Sequence, residues 1–199
     1  MAAEATYLGI DPGTNILGYG LIGIQGRQPT LKAMGVIDLR KCTDVHAKLG
    51  RIYERVSGLI SSFAPIAMAI EAPFYGKNVQ SMLKLGRAQG VAIAAAVTGG
   101  IEVFEYAPTK IKMALTGNGA ASKEQVSEML RHIFHLDAAS LVPYMDATDA
   151  LAAAYCHYLQ GSQAKHARPY SGWHDFLEKN AGRIHSARDT KQILPTNDN

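Results

Sequence analysis

Cysteine is scarce in this chain: Cys42 and Cys156 are the two among 199 residues, and no Cys-x-x-Cys spacing occurs. That argues against a disulfide framework or a thiolate zinc site and fits a reducing compartment. Paired histidines are missing too. The seven histidines are scattered, with no HxxxH or HExxH, and His132 and His135 lack further ligands nearby; surface positions are expected for both. Long hydrophobic runs are absent. The most apolar window, Val91 to Val97, is too short to span a bilayer. The N-terminal MAAEAT carries an acid and no basic region, so no signal peptide is expected and a cytoplasmic location follows. Charge of one sign is not in large excess. A net +3 and a pI near 8.8 are compatible with nucleic acid without arguing for it.

What is present describes a globular chain. An apolar fraction of 47% against 19% charged residues supplies one domain with a sizeable core, not a disordered segment. Tyr7 to Asp11, Gly18 to Ile24 and Met34 to Leu39 read as three strands of an antiparallel meander, with a turn over Gln25-Gly26-Arg27-Gln28-Pro29. Val45 to Phe63 carries an apolar stripe at helical spacing (Leu49, Ile52, Tyr53, Val56, Leu59, Ile60 and Phe63) and Pro65 ends it. Ile66 to Ile70 is a short buried strand of parallel type. A helix rich in alanine and glycine follows from Val79 to Val97, then a strand from Val103 to Tyr106. Its Met82, Leu85, Ala88, Ala92 and Ala96 suit two buried faces, one for the sheet and one for a twin. Pro108 opens a short helix to Leu115, and Ser122-Lys123-Glu124-Gln125 is a capping box for a helix to about Phe134. The last helix spans Asp146 to Tyr158, with Asp146 as its cap. The order predicts an α/β fold: a mixed five-stranded sheet, three antiparallel strands and then two parallel, with helices on both faces. Residues 1–160 form this domain. Residues 161–199 read as a partly disordered tail of unassigned role, with six Lys/Arg against four Asp/Glu, in which Trp173 and Phe176 are candidates for local docking.

Four carboxylates stand out by place. Asp11 ends the first strand, Glu71 ends the fourth, and Asp146 and Asp149 lie three apart at the start of the last helix. Active sites of open α/β sheets gather at the carboxyl ends of strands. Taken singly, each acid has a plainer reading: a turn residue before Pro12-Gly13, a solvated strand end, or helix N-terminal acids. Jointly they form a pattern of strand–Asp, strand–Glu, helix–DxxD. Like charges gathered so closely repel, and divalent cations relieve that. Magnesium takes oxygen ligands and keeps exchangeable waters. Two such ions about 4 Å apart can activate water and stabilise the leaving oxygen of a phosphodiester.

At these residues the chain resembles the RuvC family of bacterial Holliday-junction resolvases. The resemblance covers roughly residues 7–160. It rests on GIDPGT (9–14) with Gly18-Tyr19-Gly20, AIE (69–71) followed by Phe74, KNVQSMLKLGRAQGVA (77–92), FEYAPTKIK (104–112), GNGAASKEQV (117–126) and DATDALAAA (146–154). It implies an RNase H-like fold. It also implies a homodimer that nicks opposed strands of a four-way junction symmetrically in recombination and repair, leaving 5′-phosphate and 3′-hydroxyl ends. The cofactor would be Mg2+, two per subunit, with Mn2+ able to substitute; the partners would be RuvA and RuvB. Asp11, Glu71, Asp146 and Asp149 match the catalytic and metal-binding acids. Phe74 matches an aromatic that contacts bases near the crossover, although a core position beside Pro73 is its plainer reading. Lys112 and Lys123 match basic residues near the scissile phosphate. Lys77, Lys84, Arg87 and Lys110 are weaker candidates for backbone contacts, which would make binding salt-dependent. Thr14 stands where serine is common in the family.

Two rival readings share parts of this pattern. An ATP-binding domain of the actin, Hsp70 and sugar-kinase class uses an Asp-x-Gly-Thr phosphate loop, and Asp11-Pro12-Gly13-Thr14 fits it literally. Such proteins close two domains around the nucleotide, and these residues hold no second phosphate loop. Another RNase H-like nuclease, of ribonuclease H or transposase type, would have a similar order of acids. The stretches 77–92 and 104–123 favour the resolvase. A junction-binding protein with idle acids is a third reading, disfavoured by the intact set.

Overall fold

The five strands form one mixed sheet in the order β3-β2-β1-β4-β5. They are β1 (Ala5–Asp11), β2 (Ile16–Gln25), β3 (Gln28–Asp38), β4 (Ala67–Glu71) and β5 (Glu102–Tyr106). The structure is a computed structural model that describes residues 4–73, 78–136 and 145–164. β1 pairs antiparallel with β2, and β2 with β3; β4 lies parallel to β1, and β5 parallel to β4. This is the predicted sheet. The expected five-residue turn between β2 and β3 is tighter. Gln25 pairs with Gln28, so Gly26 and Arg27 alone make the bend, and Gly26 has the positive φ of 66° that a two-residue hairpin turn favours. β3 starts earlier than its polar sequence suggests because it is the edge strand, where Pro29 needs no partner for a missing N–H.

Two helices cover one face. α1 (Val45–Phe63) is capped by Asp44, whose carboxylate accepts the Ala47 N–H, and ends at Ala64 in the left-handed conformation. α2 (Val79–Thr98) is capped by Asn78. Ile52, Val56 and Ile60 of α1 and Ala88, Ala92, Ala95 and Ala96 of α2 pack on Leu8, Ile10, Leu17, Leu21, Met68 and Ile70 of the sheet. The buried alanines account for one face of α2. The opposite face carries Val79, Leu83 and Val97, which are 68%, 53% and 63% exposed.

Three helices cover the other face. They are α3 (Pro108–Thr116), α4 (Lys123–Phe134) and a last helix, α5 (Met145–Ala164). The capping box at Ser122 and Gln125 forms as predicted. Asp146 is not a cap: it lies in the first turn of α5, which starts one residue earlier and runs past Tyr158. Ile22, Ala69 and Tyr106 of the sheet meet Ile111, Leu115, Val126, Leu130, Leu151 and Ala153 there. The strands and α1 to α4 belong to a compact unit, Met1–Gln160. Of the tail read over residues 161–199, residues 161–164 instead continue α5, and those from 165 onward lie outside the described residues. Among the described residues, no helix is long and apolar enough to cross a membrane.

Candidate active site

The candidate site is set by strand parity. Leu8 and Ile10 of β1, and Met68 and Ile70 of β4, project toward α1 and α2. Successive side chains alternate between faces, so Asp11 and Glu71 project toward α5. Ile10 pairs with Ile70 across the parallel ladder, which leaves Asp11 and Glu71 side by side just past the last paired rung.

The helix opposite them lies unusually close. A methyl group built on Gly9 would overlap the Ala150 carbonyl oxygen, and one on Gly18 the Asp146 carbonyl oxygen; one on Gly20 would come within 2.7 Å of the Leu151 Cα. Gly9 pairs with Gly20, and Asp11 with Gly18, so these glycines make one patch of bare backbone. α5 answers with Ala147, Ala150 and Ala154, all buried. From Ala147 to Ala154 every residue but Asp149 is buried. Close packing thus fixes α5 on the sheet and directs Asp149 into a cleft.

That cleft has a volume of about 180 Å³. Asp11, Glu71, Asp149, Lys112 and Lys123 supply its charge, over an apolar floor of Ile111, Val126 and Ala152. Lys123, at the first position of α4, forms an ion pair with Asp149. Asp146 does not line the cleft, yet its charge still acts on Asp11. Burial, then the charges of Glu71, Asp149 and Asp146, push the Asp11 carboxyl up to about 8, against a smaller opposing pull from Lys123. Glu71 is raised by burial and by Asp149, with Lys123 and Lys112 opposing. Burial disfavours the Lys123 ammonium, but its bond to Asp149 and the surrounding carboxylates outweigh that and raise its pKa. The cleft therefore has more negative charge than its two lysines neutralise. Its carboxylates are arranged around the space rather than closed on one point: among the described residues, no three His, Cys, Asp or Glu side chains stand at ion-binding spacing.

The weaker candidates divide. Lys110 lies 5.1 Å from the Tyr106 ring centroid, a cation–π arrangement. Lys84 lines a separate cavity near Gly13 and Lys48. Arg87 is exposed and is not among the residues lining the cleft. Phe74 and Lys77 lie outside the described residues. The glycine patch was missed in the sequence, although its signal was there: small residues alternate at 18 and 20, and an alanine-rich helix carries the DxxD pair. Lys48 had no such signal, because nothing in a helical stripe marks one lysine as reaching a loop more than thirty residues away.

Comparison with known proteins agrees with this architecture. Residues 7–157 match the family model described as Crossover junction endodeoxyribonuclease RuvC. The protein of that name from Bacteroides fragilis is 57% identical over 91% of this chain and 96% of its own length. That from Porphyromonas gingivalis is 51% identical over 91% and 97%. The structure of T. thermophilus RuvC in complex with Holliday junction substrate superposes with a TM-score of 0.75 at 32% identity, covering 80% of this chain and 96% of that one. The yeast mitochondrial Holliday junction resolvase Ydc2, 16% identical with a TM-score of 0.63, shares the fold. With a parallel β1–β4 pair presenting two acids to a close-packed DxxD helix, this chain belongs to the RuvC family.

Proposed function

We propose that this chain is a crossover junction endodeoxyribonuclease that cuts four-way DNA junctions with divalent metal held by Asp11, Glu71, Asp146 and Asp149. The observation that carries the reading is the cleft itself: half-buried carboxylates from two adjacent strands and one helix, with charge in excess of Lys112 and Lys123. The donor set fits magnesium, because every ligand it offers is a hard oxygen and no sulfur or imidazole lines the cleft. Bound there, divalent ions would supply water activation and charge neutralisation at the leaving oxygen.

The protein's own groups do the rest. Rigid strand ends aim Asp11 and Glu71, and the glycine–alanine contact holds Asp149 against them. Lys123 holds Asp149 through a charged hydrogen bond. Together with Lys112 it offers positive charge to a phosphate entering the cleft. Phe74, following the Glu71 strand end in sequence, stacks on bases opened at the crossover.

A homodimer delivers the second cut. Val79, Leu83, Gly86, Gly90 and Val97 form a straight stripe on α2, exposed along its length, opposite the alanines packed on the sheet. Small and apolar residues in that arrangement suit a twin helix. The products are 5′-phosphate and 3′-hydroxyl ends, the partners RuvA and RuvB, and the setting the cytoplasm. The test offers a four-way junction, a linear duplex and an RNA–DNA hybrid, each with magnesium and with EDTA. Paired nicks on the junction with magnesium are expected; cleavage of the hybrid instead points to a ribonuclease H, and ATP hydrolysis without nicking to the phosphate-loop class.

A further inference from the structure

A second concave site lies on the α1–α2 face, where the turn following Asp11 meets the two helices. The turn after β1 contributes Gly13, Thr14 and Asn15; α1 contributes Lys48; α2 contributes Ser81 and Lys84. The cavity measures about 240 Å³, room for several waters at roughly 30 Å³ each, and so for a tetrahedral anion. No aspartate or glutamate lines it. The nearby acids are committed elsewhere: Asp38 to the Arg40 guanidinium at 2.8 Å, and Asp44 to the Ala47 N–H at 2.9 Å. Among the described residues, neither Lys48 nor Lys84 has a carboxylate within 4.0 Å.

Lys48 is also fixed in place. Its ammonium donates to the Thr14 carbonyl at 3.0 Å and to the Asn15 side-chain oxygen at 2.9 Å. An ammonium has three donors, so one is left over. Ser81 and Lys84 approach from the first turns of α2, a 20-residue helix with no acid in its first turn. Its N-terminal partial positive charge is therefore uncompensated there.

From these observations we infer that Lys48 and Lys84 form a phosphate subsite for the DNA backbone flanking the cut. The inference rests on the nuclease reading above and extends it. Thr14 lies three residue steps along the chain from Asp11, a reach of at most about 10 Å. A DNA strand advances about 3.4 Å per nucleotide. The subsite therefore receives a phosphate within about three nucleotides of the scissile one. Because Lys48 also holds the turn that follows Asp11, filling the subsite fixes the strand and the turn to the same lysine.

The test measures junction binding in EDTA, with junctions carrying a single neutral methylphosphonate at successive positions around the cut. For the wild-type protein, neutralising one phosphate within three nucleotides of the cut weakens binding several-fold. Lys84→Ala and Lys48→Ala weaken binding to the unmodified junction and lower the salt slope by about one each. Neither variant loses further affinity to that same methylphosphonate. Lys84→Ala touches no bond of the turn, so it keeps the test valid if Lys48→Ala fails to fold; Lys48→Arg restores part of the affinity. Wild-type affinity and salt slope in Lys84→Ala overturn the subsite while leaving the nuclease reading intact. The same holds if methylphosphonate costs are equal in wild type and variants at every position. A wild-type protein that neither binds nor cuts the junction overturns both.

Discussion

Asp11 is where burial and charge conflict most in the described structure. Its carboxyl is pushed up to about 8 by burial and by three neighbouring acids, while an ordinary aspartate titrates near 3.8. A raised folded-state value means that folding favours the protonated form. The metal-free protein therefore holds this contribution in full below about pH 4 and loses it as pH climbs toward 8. Asp11→Asn removes the conflict. In EDTA at pH 8 its Tm exceeds that of the wild type by several degrees, whereas at pH 5 the gap narrows; differential scanning calorimetry at the two pH values reads this. Adding magnesium at pH 8 raises the wild-type Tm and leaves the variant nearly unmoved. Lys123 makes the complementary case. It is about half exposed in its pair with Asp149, so the pair itself adds little to stability. Lys123→Ala is expected to change the unfolding free energy from urea titration by less than about 1 kcal/mol, while junction cleavage falls roughly tenfold to a thousandfold, as for loss of one charged donor at a reacting phosphate.

Elements carry these residues into place, and they were legible to different degrees. α1 matches its predicted bounds, Val45–Phe63, because its apolar stripe is regular and Ala64 and Pro65 follow it. The parallel placement of β4 beside β1 was legible as well: a five-residue apolar run between two helical segments has nowhere else to go. β3 was read six residues short because Gln28 to Ala33 is polar, and an edge strand tolerates polarity on its open side. On α2, the named residues Met82, Leu85, Ala88, Ala92 and Ala96 follow the sheet side, while Val79, Leu83 and Val97 form the free face. The distinction depends on which side meets the sheet, and helical periodicity alone does not say. The tight seat of α5 was the least legible feature, because it depends on β1 and β2 glycines in register with alanines more than 120 residues away. That seat makes its own prediction. Gly18→Ala forces a methyl group into the Asp146 carbonyl oxygen, an overpacking cost of about 1–3 kcal/mol. Circular dichroism is expected to show retained helix and strand, urea unfolding a lower midpoint, and the junction assay a large loss of cleavage as Asp146 and Asp149 are displaced.

At the scale of the whole molecule, the proposed cleft serves one strand, and a junction must be cut twice. In the proposed homodimer the exposed stripe on α2 joins the two clefts, so Leu83→Glu is expected to convert the dimer to a monomer in sedimentation velocity. Two linked cuts become two independent single nicks, with the cleft chemistry unharmed. A net charge of +3 is too small to hold a junction by itself; binding depends on where the lysines sit, and falls steeply with salt. The central claim is that the DNA backbone is broken in the carboxylate cleft. The most direct measurement follows a labelled four-way junction under single-turnover conditions, with wild-type protein and Asp11→Asn, over a magnesium titration that starts from EDTA. The account predicts paired, symmetrical nicks that rise with magnesium in the wild type, and none in EDTA. It predicts a loss of roughly three orders of magnitude or more in Asp11→Asn at nearly unchanged junction affinity. Nicking by Asp11→Asn at the wild-type rate, or nicking that proceeds in EDTA, contradicts it.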